Sequence, residues 1–118
     1  MPTMDAQTVA RVIAAELRAH PEHWTQGALA RDAMGTAVAY DSPAATCWCL
    51  HGFIRRLLNI PPGAGVGEGT AHVLSVFDQA SIGRPWARGD YVAFVEWQDV
   101  ADRTVQEVIA LCDQVAAS

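Results

Sequence analysis

Apolar residues recurring at helical spacing near both ends of the chain constrain its fold most. Ala6, Val9, Ala10, Ile13 and Leu17 form one stripe, with Arg11 and Arg18 off it, which predicts a helix from Met4 to Ala19. His20 ends the stripe and Pro21 stops the helix. At the other end Thr104-Val105-Gln106-Glu107 reads as a capping box, in which the Thr hydroxyl and the Glu carboxylate each satisfy an orphan amide. Val105, Val108, Ile109, Cys112, Val115 and Ala116 then make a second stripe, so Cys112 is expected as a small core residue. A chain of 118 residues has room for one core between such helices. The expected fold is mainly α: a single domain over residues 1–118, built as a compact bundle of four to five helices.

The middle of the chain is less regular. Asp32-Ala33-Met34-Gly35 looks like a turn flanked by Gln26–Arg31 and Thr36–Tyr40, which suggests a short β-hairpin near residues 26–40. Asp41 or Ser42 can cap a second helix with Pro43 at its first position, running to about Leu58. Gly63 to Gly69 reads as a connector and matches no phosphate cradle, because it has no Gly-Lys-Ser/Thr and no strand before it. A third helix is expected over Thr70–Ala80, followed by a connector over Ile82–Gly89. Tyr91–Trp97 suits a strand or a helix; helix is the expectation, since no clear strand partner exists for it.

Charge and composition narrow the function classes. The net charge is −5 and every basic side chain is an arginine, which argues against a nonspecific nucleic-acid binder. No segment reaches the roughly 20 apolar residues of a membrane span. No secretory signal is read at the N-terminus, so a cytoplasmic, reducing location is expected. Cys47, Cys49 and Cys112 are then free thiols rather than a disulfide framework. No cofactor is indicated, and a homo-oligomer is left open.

Chemistry concentrates in Thr46-Cys47-Trp48-Cys49-Leu50-His51-Gly52-Phe53. Cys-x-Cys-x-His resembles a metal motif, but in a helix residues two apart point about 200° away from each other. Only Cys47 and His51 would share a face, and His72, His20 or His23 would have to complete a closed zinc site. Helical projection puts Cys49, Leu50, Phe53, Ile54 and Leu57 toward the core. Trp48, Gly52, Arg55 and Arg56 fall on the other face, which is either a second packing surface or an exposed binding patch. Gly52 there can let another element approach closely. A cysteine enzyme using Cys49 with His72 and Asp99 is the alternative; Cys49 two turns into a helix and on its apolar face would have a raised pKa, which opposes it.

Three stretches together resemble an uncharacterised family of small bacterial, frequently actinobacterial, and phage proteins. They are Trp24-Thr25-Gln26-Gly27 with Ala30-Arg31-Asp32-Ala33 and Gly35; Ala44-Ala45-Thr46-Cys47-Trp48-Cys49-Leu50-His51-Gly52, similar to a Trp-Cys-x-x-Gly-Ala element; and Trp97-Gln98-Asp99 with Arg103-Thr104 and Glu107-Val108, similar to Trp-Asn-Asp, Arg-Thr and Glu-Val. The chain departs at Phe53, where that pattern has Ala, and at Gln98, where it has Asn. The resemblance implies a compact helical fold and no mechanism. The functional expectation is therefore a small non-catalytic binding or regulatory protein, of phage or mobile-element origin, acting on a host or defence protein.

Overall fold

A computed structural model describes residues 4–65, 67–84 and 92–118. The described residues form five α-helices and a small three-stranded antiparallel sheet. Helix α1 spans Ala6–Ala19; the Asp5 carboxylate caps it by accepting the Thr8 N–H, and His20 closes it. Its stripe of Val9, Ala10, Ile13 and Leu17 is wholly buried, mainly against α5 (Val105–Ala116), which supplies Val108, Ile109, Cys112 and Val115. The capping box at Thr104 forms as expected, with reciprocal bonds to and from Glu107. Helix α3 (Glu68–Ile82) adds Val73, Leu74 and Phe77 to the same core and ends at left-handed Gly83. The helix expected near 91–97 is α4, Phe94–Asp99. Asp78, buried on α3, holds its start by accepting the Phe94 N–H at 2.9 Å. The connector expected over 82–89 lies outside the described residues from 85 onward, as does Tyr91.

The hairpin is present. Strand β1 (Ala30–Arg31) pairs with β2 (Ala37–Val38) in the register Ala30 to Val38 and Arg31 to Ala37. The turn is built by Asp32, whose Oδ1 accepts the N–H groups of Met34 and Thr36, and by Gly35 at φ 82°.

Residues 41–49 require a correction. They are not helical: Ser42 and Pro43 belong to a turn, with the Ala44 N–H on the Ser42 hydroxyl, and Cys47–Trp48 is a third strand, β3. It pairs antiparallel with the other edge of β1, giving the order β2-β1-β3. Helix α2 begins only at Leu50 and runs to Leu57, with Cys49 as its N-cap. Ser-Pro suits a turn as well as a helix start, and the unpaired edge of β1 decides between them by taking the Thr46 N–H on Arg31 and the Cys49 N–H on Leu29.

Candidate functional site

The Cys-Trp-Cys segment is a strand running into a helix, so its side chains point differently from the helical projection. Trp48 is 7% exposed and packs on Phe53; its indole N–H donates to the Tyr40 carbonyl at 2.9 Å. Trp48 and Gly52 of the projected face are buried, whereas Arg55 is half-buried. Arg56 does lie over the Trp48 ring, 4.2 Å from its centroid, and is itself exposed. Gly52 is buried because the Leu29 backbone crosses it: a Cβ there would stand 2.0 Å from the Leu29 oxygen. The close approach expected at Gly52 is thus made by the loop ahead of β1.

That loop is latched to α4, with Gln98 at the centre of the contact. Gln98 is fully buried, and its Oε1 accepts both the Leu50 N–H, at 2.9 Å, and the Trp24 indole N–H, at 3.2 Å. Its Nε2 donates to Asp99 Oδ1, which also accepts the Gly27 N–H. Gln26 reaches the carbonyls of Gln98 and Val100. Arg103 stacks on Trp97 and donates to its carbonyl. The stretches around Trp24, Cys49 and Trp97 therefore meet at one point, and their polar atoms are spent on one another. Among the described residues no buried side-chain nitrogen or oxygen lacks a partner.

A shallow cleft of about 210 Å³ opens there, lined by Gly27, Ala28, Leu29, Cys49, His51, Val95, Gln98 and Asp99. The structure brings Cys49 and Asp99 together but leaves His72, exposed on α3, outside this cleft. Cys49 Sγ accepts the Gly52 N–H at 3.4 Å. Burial pushes its thiol up to about 11, outweighing the opposite pull of the Gly52 and His51 N–H groups, and Asp99 adds to the rise. Cys112, in the core as expected, is pushed by burial to about 12. Cys47 and His51 do not share a helix face, since Cys47 lies in β3. Among the described residues neither belongs to a group of three clustered metal-ligand side chains.

His51 is the neighbour of Cys49 in this cleft. Half-buried at the first turn of α2, it packs edge-on against Phe94, and its Nε2 accepts the Arg55 Nε–H at 2.9 Å. Nε2 is therefore the acceptor and Nδ1 carries the proton. Burial, with Arg55 second, lowers its pKa from 6.5 to about 4. Because the folded value is depressed, the unfolded chain binds the proton first as pH falls. The stabilisation is complete above pH 6.5 and disappears between 6.5 and about 4. His51→Gln should remove about 2–3 kcal/mol of acid sensitivity across that window, read from denaturant midpoints of both proteins at each pH.

Sequence reasoning had no signal for the contributions of Leu29, Tyr40 or Val95 to this face, because each arrives through tertiary contacts. The chain matches the Family of unknown function (DUF6197) over residues 1–118 and belongs to it. No curated protein and no solved structure matches it.

Proposed function

We propose that this member of a family of unknown function is a non-catalytic binding module that takes a protein partner on the face running from Asp99 across Leu29, His51 and Arg55 to Arg56. The observation that carries the reading is the continuity of three shallow clefts. The Cys49 cleft shares Leu29 and His51 with the next, which also includes Arg55, and that one shares Tyr40 with a third beside Arg56. Leu29 is 39% exposed at their centre, with Asp99 and Arg56 exposed on either side, a mixed apolar and charged surface of the kind that partners use. The buried polar groups beneath hold the fold, which favours binding over turnover. Cys49 has a protonated thiol, and the His51 acceptor nitrogen is already engaged by Arg55.

No helix among the described residues is long and apolar enough to cross a membrane. A phage or mobile-element role against a host or defence protein fits a module of this kind, and the identity of its neighbouring genes tests that origin. In pull-downs from host lysate, Leu29→Glu and Arg56→Glu should each lose a partner that the unaltered chain retains. Retention of every partner by both variants places the interaction elsewhere. Cys49 should resist iodoacetamide at neutral pH until the chain is denatured, with mass spectrometry locating the label; rapid labelling in the folded protein would restore a cysteine enzyme.

A further inference from the structure

We propose that His20, Glu22 and His23 form a binding site for a borderline divalent cation, zinc or nickel, at the C-terminal end of α1. This site is separate from the partner face and does not rest on it. His20 closes α1, and Pro21 opens a single 3₁₀ turn, Pro21–His23, that brings His23 back beside it. The two imidazoles lie 4.6 Å apart and nearly parallel. Glu22 Oε1 sits 3.4 Å from His20 Nδ1 and 4.0 Å from His23 Nε2, and one donor atom from each of the three residues lies within 4.8 Å of the others.

A second, independent feature points to a metal. Glu16, one turn back on α1, places Oε2 2.6 Å from His23 Nδ1. A carboxylate on one ring nitrogen fixes the tautomer that leaves Nε2 as an available lone pair, the arrangement that supports metal-bound histidines. The carbonyl end of α1 adds negative potential, and Arg18, the basic residue of its last turn, is paired with Asp113 instead. The parallel rings do not yet converge on one point. His20 and Glu22 have side chains 54% and 68% exposed, free to swing toward the roughly 2.0–2.2 Å that zinc bonds require. Two imidazoles and one carboxylate suit zinc, nickel or copper rather than calcium or magnesium, and three protein ligands leave water in the remaining positions. His23 also meets Trp48 edge-on at 6.1 Å and precedes Trp24, the indole that donates to Gln98. A bound ion would pin the turn that leads into the latched loop, and it should raise the unfolding temperature by mass action.

The test is calorimetric titration of the untagged full chain with Ni²⁺ and with Zn²⁺. One equivalent should bind, with a metal-dependent rise in unfolding temperature. His20→Ala and Glu22→Gln alter exposed groups; each should weaken binding at least about tenfold, and His20→Ala with His23→Ala should abolish it. Glu16→Gln should weaken binding about 10–100-fold while the metal-free unfolding temperature stays unchanged. Cys47→Ser should bind as the parent does. No binding at millimolar Ni²⁺, or binding of undiminished affinity in a His20→Ala variant with native circular dichroism, overturns the site.

Discussion

Replacing Gly52 by alanine should remove about 4 kcal/mol or more of stability, although alanine is the better helix former by about 1 kcal/mol. The added Cβ would stand 2.0 Å from the Leu29 carbonyl oxygen and 2.9 Å from its carbon, so backbone must move rather than a flexible side chain. That carbonyl accepts the Cys49 N–H at 3.1 Å, the bond that leads β3 into α2. Pushing Leu29 away leaves this N–H without its partner and disturbs the pairing of Ala30 with Trp48 one residue on. A small domain has only about 5–15 kcal/mol in total, so much of the population should unfold at modest denaturant. Gly65→Ala is the control: open space surrounds it, and its urea midpoint should stay near the parent's. A Gly52→Ala midpoint as high as that control would mean that the loop does not cross α2 as described.

Gln98→Leu should cost about 2–5 kcal/mol, the second large effect. Leucine is close in size and suits the apolar surroundings of a fully buried side chain, so the loss comes from hydrogen bonds rather than volume. The substitution strands the Leu50 N–H, at the first turn of α2, and the Trp24 indole N–H, and it releases Asp99 from one of its two partners. The Trp24 fluorescence should shift as the loop loosens, and Gly27 and Leu29 amides should exchange faster with solvent. Unchanged stability and exchange would show that Gln98 is not the latch.

The latch also explains how much of this site was legible. Trp24, Cys49, Gly52 and Gln98 stand out in the sequence, yet neither spacing nor periodicity says that Gln98, 74 residues from Trp24, accepts its indole N–H. Helical projection failed at Trp48 because it assumed a helix from Pro43. Trp48 nonetheless meets Arg56, as that projection grouped them, since the ring of a strand residue is overlaid by an arginine from the next helix. Arg55, expected on the same face, turns instead to His51. Cys49 is an inward-facing thiol whose pKa burial raises, as expected, but it does not lie two turns into a helix. It is the N-cap of α2, where helix N–H groups pull the pKa down, and burial outweighs them.

What the sequence determined by itself is local. The stripes of α1 and α5, the Thr104–Glu107 capping box and the Asp32–Gly35 turn each depend on residues within a few positions of one another. What only the tertiary structure decided is where long-range partners were needed. The free edge of β1 claimed residues 46–49 as backbone partners, because an unpaired N–H or carbonyl buried there costs more than the helix start that Ser42-Pro43 would otherwise allow. That single choice moved the beginning of α2 from Pro43 to Leu50, buried Trp48 and placed Cys49 and His51 beside Asp99.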